Sequence, residues 1–245
     1  MTAIQTPGKH SKLWKDWKAV GSGKDTRFFM EHREAVLETL EGESPPLQVL
    51  ISEELLEEAR EEWEARAEAS SVPWYRVPEE RLATLSSVRS TSGLCGVFEP
   101  QERGRHEIVR MKTVLICWEV QDPGNLGTLI RSCLAFGDFG LVLIGGCRPW
   151  SSKVARASAG GLFRIPLYRV SLQEGESLLR EMCDSGHQLY SAAPRGGEHP
   201  ARIQFPQKVG LVLGNETPGI PQRVQNLTKR ITIPMNPGTE SLNVA

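Results

Sequence analysis

The feature that most constrains this chain is a set of short apolar runs in its second half. They fall at residues 114–120, 141–144, 188–192, 209–213 and 231–233, and those at 141–144 and 209–213 contain no polar residue at all. A strand with one wet face alternates polar and apolar side chains, whereas a continuously apolar strand is covered on both faces. Segments with helical spacing, 127–136 and 172–183, lie between the runs. Strands alternating with helices imply an α/β architecture built on a parallel sheet. In such sheets ligands bind beyond the carboxyl ends of the strands. The loops to inspect therefore follow Val120, Ala192, Leu213 and Ile233.

The first half has a different character. Lys9, Lys12, Lys15, Lys18 and Lys24 are interleaved with Trp14 and Trp17. The spacing of Phe28, Ala35, Val36 and Leu40 predicts a helix over 27–40. Strands are expected at 47–51, 74–77 and 93–98. Ser52 should cap a long acidic helix over 53–69, and a short helix should span 78–85. This alternation suggests a small α/β sandwich. Residues 99–107 are polar and contain Pro100 and Gly104, so they read as a linker. The expected organisation is a small α/β domain over 1–105, with 1–23 as a basic and flexible arm, and a second domain over 106–245.

Composition limits the function classes. A chain of 245 residues, 39% hydrophobic and 24% charged, can bury a core and is not wholly disordered. A net charge of -1 excludes a uniformly basic protein but permits a local basic patch. Five scattered cysteines without a C-x-x-C pair argue against a disulfide framework or a zinc site, and for a reducing cytoplasm. The five histidines form no ligand pair at helical spacing, so no metal is expected. No apolar stretch approaches the roughly 20 residues that cross a bilayer, and the first residues lack the apolar core of a signal peptide. A soluble cytoplasmic protein is expected.

Three segments carry candidate chemistry. In the first, Pro123, Gly124 and Gly127 allow a tight turn between strand and helix. Asn125 can cap that helix or offer its amide outward, and Arg131 lies six residues further on, roughly opposite in phase. The dinucleotide pattern G-x-G-x-x-G is absent. In the second, Gly214 permits a ligand to approach the backbone, and Glu216 follows the strand end as an acceptor. In the third, Ile233 ends a strand, Pro234 breaks it, and Ser241 and Asn243 flank Leu242. Met235 and Leu242 could pack on the faces of a purine while loop backbone groups bind its edge. Taken singly, each segment also reads as an ordinary turn or cap.

Their joint order and spacing are more specific. Together they resemble the three motifs of the SpoU (TrmH-like) family of RNA 2'-O-ribose methyltransferases, within the SPOUT superfamily. The matching residues are Asn125, Gly127, Arg131, Phe136 and Gly137; then Gly214, Glu216 and Gly219; then Ile233, Pro234, Met235, Ser241, Leu242 and Asn243. Ser158, Ala159, Gly160 and Gly161, followed by Arg164 and Pro166, are also similar to the family. The resemblance covers residues 113–245. Val77, Leu82, Leu85 and the 93–97 stretch more loosely resemble the family's RNA-binding amino-terminal domain.

The resemblance implies S-adenosylmethionine as the cofactor, bound in a carboxy-terminal trefoil knot, with no metal. It places cofactor contacts at Ala192, Gly214, Ile233, Met235 and Leu242. The acceptor it implies is a ribose 2'-hydroxyl, ribosomal RNA ahead of transfer RNA. A protonated hydroxyl is a poor nucleophile, so a catalyst must align it and assist loss of its proton. The family's pattern gives that task to Arg131, with Asn125, Glu216, Ser241 and Asn243 positioning the hydroxyl. A guanidinium is a donor only, so holding a phosphate and stabilising a developing alkoxide is the chemistry it suits. Lys9, Lys12, Lys15 and Lys18 would meet RNA phosphates, and Trp14 or Trp17 would either stack on bases or pack in the core. The family forms homodimers and continues past Ser-Leu-Asn-Val into a further helix. This sequence stops at Val244-Ala245, so the expectation is an incomplete knot, weak cofactor binding, and a homodimer in the full-length form. A non-catalytic RNA-binding protein of the same fold, a base-directed RNA methyltransferase and an adenine-nucleotide module are the alternatives.

Overall fold

The computed structural model describes residues 4–42, 44–85, 92–215, 217–236, 238–239 and 241–245. The chain forms two compact units, one of residues 1–100 and 149–163, the other of residues 101–148 and 164–245.

The first unit is built on a five-stranded mixed sheet. Its elements are β1 (Ile4–Gln5), α1 (Lys12–Gly21), β2 (Phe28–Met30), α2 (Arg33–Leu40), β3 (Gln48–Ser52), α3 (Glu53–Glu58), α4 (Arg60–Ala69), β4 (Trp74–Val77), α5 (Glu79–Leu85) and β5 (Leu94–Phe98). The strand order is β1-β4-β3-β5-β2, with β5 antiparallel to both neighbours. Trp14, Trp17 and Val20 of α1 and Leu82 and Leu85 of α5 pack on Leu50, Val77, Cys95 and Val97 of the sheet.

Several expectations are corrected here. Within the segment read as an arm, Ser11 caps the helix α1 and Trp17 is completely buried. The Trp17 indole donates to Gln48 Oε1 at 2.7 Å, and the Trp14 indole donates to Gly8 O at 3.0 Å. Both tryptophans therefore belong to the core, and base stacking by them does not hold. The helix expected at 27–40 is a strand followed by a helix, because Phe28 and Phe29 are both buried in the sheet. The long acidic helix is broken at Ala59, whose φ of -150° is not helical. Residues 149–163, read from sequence as part of the second domain, pack in the first unit and carry α8 (Ser152–Ala157). Phe163 meets Phe28 and Phe98 at ring distances of 5.8 and 4.4 Å, and Arg156 pairs with the buried Glu31 at 3.6 Å.

The second unit contains α6 (Arg105–Arg110), β6 (Thr113–Trp118), α7 (Pro123–Phe136), β7 (Phe139–Ile144), β8 (Leu167–Val170), α9 (Leu172–Asp184), β9 (Gln188–Ala192), β10 (Val209–Gly214), α10 (Gln222–Gln225) and β11 (Lys229–Ile231). Its six strands are all parallel, in the order β11-β9-β10-β6-β7-β8. Val114, Ile116 and Trp118 join Val142, Ile144, Leu178, Leu179, Met182 and Val212 in one buried cluster. The expected parallel sheet is thus present. The linker is shorter than expected, since α6 begins at Arg105. The last strand ends at Ile231, so Ile233 lies beyond it. Among the described residues, no helix is long and apolar enough to cross a membrane.

The strand order sets where a ligand can sit. From β6 the chain moves outward through β7 and β8, then returns to β9 and β10 on the other side. The carboxyl ends of β6 and β10, which pair residue for residue from Thr113–Val209 to Trp118–Gly214, mark the switch in direction.

Candidate active site

Asp122, not Asn125, caps α7: its Oδ1 accepts from Asn125 N at 2.8 Å, and Pro123 occupies the first turn, where no amide hydrogen is needed. Of the two readings of Asn125, the capping one therefore does not hold. Just before it, Glu119 adopts a left-handed backbone with φ of 54°. The turn is fixed from the neighbouring strand, because Asn215 Nδ2 donates to Glu119 O at 3.0 Å. Asn215 also accepts from Thr217 N through Oδ1 at 3.1 Å. One amide thus holds both loops at the switch point.

Gly214 stands where backbone segments meet. A Cβ there would lie 2.7 Å from Ile220 Cγ1 and 2.9 Å from Gly219 C. The loop after β9 is fastened to the chain beyond β11. Thr232 Oγ1 donates to Ala193 O at 3.0 Å and accepts from Gly197 N at 2.9 Å. Glu198 N donates to Arg230 O, and Thr232 N to Glu198 O, both at 3.0 Å. From Thr232 the terminal segment runs back across the strand ends to α7, where Asn243 Nδ2 donates to Asn125 Oδ1 at 3.1 Å.

These loops enclose a cavity of about 410 Å³, within the roughly 300–1,000 Å³ usual for small-molecule sites. Its walls are apolar, from Leu211, Leu213, Ile220, Ile231, Ile233 and Met235, with Asn215, Thr217, Ser241 and Asn243 as polar points. All five expected cofactor residues, Ala192, Gly214, Ile233, Met235 and Leu242, line it, as do Ser241 and Asn243. Ile233 and Leu242 remain 60% and 54% exposed, so this wall is open to solvent. Asn125 reaches the cavity through Asn243. Arg131 is exposed on α7 and is not a lining residue. Glu216 lies outside the described residues. Lys9, Lys12, Lys15 and Lys18 are exposed in the first unit.

A second cavity of about 460 Å³ opens beyond β7 and β8. It contains Arg169 and Glu102, which neutralise each other at 2.7 Å, and it lacks an apolar floor comparable to the first. The smaller cavity, at the switch point, is therefore the candidate site. Among the described residues, no group of three or more His, Cys, Asp or Glu is arranged to hold a metal.

Sequence reading missed Asn215, Thr232 and Gly197. Their partners lie 96, 39 and 35 residues away, and no local pattern marks such contacts.

Known proteins match this arrangement. The SpoU rRNA methylase family, as a sequence model, matches residues 112–245. An uncharacterized tRNA/rRNA methyltransferase of Synechocystis sp. is 34% identical over 182 residues, covering 74% of this chain and 66% of that protein. The 23S rRNA (guanosine(2553)-2'-O)-methyltransferase RlmP of Bacillus subtilis is 27% identical over 244 residues, covering 97% and 92%. The AdoMet-bound rRNA methyltransferase from Sinorhizobium meliloti superposes with a TM-score of 0.83 at 23% identity, covering 99% of this chain and 93% of the other. At that identity the likeness concerns the fold.

Proposed function

The chain belongs to the SpoU rRNA methylase family, and we propose that it transfers a methyl group from S-adenosylmethionine to the ribose 2'-hydroxyl of an RNA, ribosomal rather than transfer RNA. The observation that carries this reading is the hydrogen bond from Asn243 to Asn125. It joins the loop of the first motif to the last motif at the wall of the cavity. The Bacillus subtilis relative, a 23S rRNA 2'-O-methyltransferase aligned along nearly the whole chain, supports the 2'-hydroxyl and ribosomal RNA.

The donor set fits the cofactor. Apolar side chains of Leu213, Ile220, Ile231 and Met235 would pack against a flat heterocycle, and the backbone at Ala192–Ala193 and Gly214–Asn215 lines the same cavity. When bound, S-adenosylmethionine supplies a methyl group made electrophilic by its sulfonium. The chain's own task is to present the acceptor. Asn125 and Asn243, already bonded to each other, hold the hydroxyl in line. Ser241 lines the same cavity as Asn243, and Glu216 joins the set by resemblance. Arg131, exposed on α7, grips the adjoining phosphate and stabilises the developing alkoxide, whose proton passes to solvent water. Lys9, Lys12, Lys15 and Lys18 bind RNA phosphates.

The protein works as a cytoplasmic homodimer without a catalytic metal. The free state of all five cysteines supports the compartment, and the pairing rests on the resemblance to the family. Calorimetry tests the cavity: S-adenosylmethionine should bind with one site per chain and ATP should not. Arg131→Ala should lower the rate of methyl transfer on the order of a hundredfold or more while cofactor affinity is kept. A wild-type rate in that variant would remove Arg131 from the mechanism.

A further inference from the structure

The exposed face of α1 is a concentration of positive charge whose lysines make no ion pair among the described residues. Lys12, Lys15 and Lys18 recur every third residue and are all exposed, with Lys9 just ahead of the helix. At 1.5 Å of rise per residue, the three helical lysines extend over about 9 Å and stay within one third of the circumference. Trp14, Trp17 and Val20 occupy the opposite side and are buried. Arg81 of α5 adds a fifth cation, with its guanidinium carbon 4.4 Å from the centre of the Trp14 ring. The nearest acids in the chain on these two helices are Asp16, Glu79 and Glu80. Among the described residues, every ion pair is made by an arginine elsewhere, and none involves Lys9, Lys12, Lys15, Lys18 or Arg81. Five cations against three acids leave a net positive face in a chain of net charge -1, and such a face suits an external polyanion.

The aromatic residues decide what form that polyanion takes. Proteins that hold single strands stack exposed rings on successive bases. Here Trp17 is fully buried and bonded to Gln48, while Trp14 gives its N–H to Gly8 and one face to Arg81. Neither ring is left for a base. What remains is a row of flexible ammonium groups and one guanidinium whose orientation the Trp14 ring fixes. That set recognises phosphates in a regular array, as on the backbone of an RNA helix, and carries no base readout. We infer that the α1 face and Arg81 dock the sugar–phosphate backbone of a helical RNA element, independently of its sequence. Trp14 acts there as the support for Arg81. The inference rests on the reading of the chain as an RNA-modifying protein, and it adds the shape of the RNA that the first unit engages.

The test compares binding of two labelled RNAs by the full chain across a salt series: a duplex of about 20 base pairs, longer than a typical double-stranded RNA footprint, and a uridine-rich single strand of equal phosphate number. The duplex should bind at least tenfold more tightly, with little change when its sequence is scrambled. Combined K12Q, K15Q and K18Q substitutions should weaken duplex binding on the order of a hundredfold at 0.1 M salt and reduce the slope of log affinity against log salt by about 2–3. R81Q should weaken binding further, with R81K intermediate because it restores the charge without the stacked fork. Calorimetry with S-adenosylmethionine should give the wild-type affinity for every variant, which shows the second unit to be intact. An unchanged salt slope in the triple variant, or preference for the single strand, would overturn the inference. Duplex binding as described without methyl transfer to any RNA would instead defeat the proposed reaction and leave the docking surface standing.

Discussion

Thr232 is the clearest point at which to perturb the cavity without touching its lining. Its hydroxyl makes two hydrogen bonds, to Ala193 O and from Gly197 N, at 3.0 and 2.9 Å. Ala193 and Pro194 of the same loop line the cavity. Thr232→Val keeps the shape of the side chain and removes both bonds. Each is worth about 0.5–1.5 kcal/mol net. Thr232 is half-buried, so water can partly replace the lost partners, and the loop should lose about 1–2 kcal/mol. If the cofactor needs that loop closed, its dissociation constant should rise about 5–30-fold, at 1.4 kcal/mol per factor of ten. Titration calorimetry with S-adenosylmethionine measures this directly. Thr232→Ser keeps the hydroxyl and should stay within about twofold of wild type. Equal affinity in wild type and Thr232→Val, or equal losses in the Val and Ser variants, would refute the claim that this clasp shapes the site.

Gly214→Ala would bring a Cβ within 3.0 Å of the Gly219 and Ile220 backbone; the overpacking should cost about 1–3 kcal/mol in urea unfolding and weaken cofactor binding more than it slows folding. Alkylation at pH 8 should reach Cys147 and Cys183 before the buried Cys95, Cys117 and Cys133, since burial pushes the Cys133 thiol up to about 11 and Cys95 and Cys117 well above their usual range; peptide mapping of the label gives the order. The hydrogen bond from the Arg27 guanidinium holds the Asp25 carboxyl down at about 2. Its folded value lies below the unfolded one of about 3.9, so the pair's stabilisation is complete above that pH and is lost as acid takes the pH down toward 2. NMR titration of the Asp25 carboxyl should show the lowered midpoint, and Asp25→Asn should remove less than about 1 kcal/mol at neutral pH because the pair is near the surface.

The fold and site were legible to different depths. The inner strands β6, β7 and β10 stood out because burial on both faces leaves no polar alternation. β8 did not, since Leu167-Tyr-Arg-Val170 lies at the sheet edge with two side chains partly wet. Phe28 matched a helical period with Ala35, Val36 and Leu40, but pairing with β5 overrode that local signal. The break at Ala59 carries no glycine or proline to announce it. The residues around the cavity were found because the order of three motifs is a long-range pattern, and their loops do converge there. The contacts that hold those loops, Asn215 on Glu119 O and Thr232 on Ala193 O and Gly197 N, depend on which strands become neighbours. That information appears only once the sheet order is known. The segment 149–163 illustrates the same limit: its Trp150 and Phe163 are ordinary core residues in sequence, and only the rings of Phe28 and Phe98 show which core they join.

The central claim is methyl transfer to a ribose hydroxyl at the cavity where Asn243 meets Asn125. The most direct measurement incubates the purified chain with methyl-labelled S-adenosylmethionine and ribosomal RNA lacking its modifications, then hydrolyses the RNA in alkali. Alkaline cleavage needs a free 2'-hydroxyl. The account predicts label in a single alkali-resistant dinucleotide, with the yield strongly reduced by Asn243→Ala. Label released as an ordinary mononucleotide, carrying the methyl on its base, or no label in RNA under conditions where the cofactor binds, would contradict it.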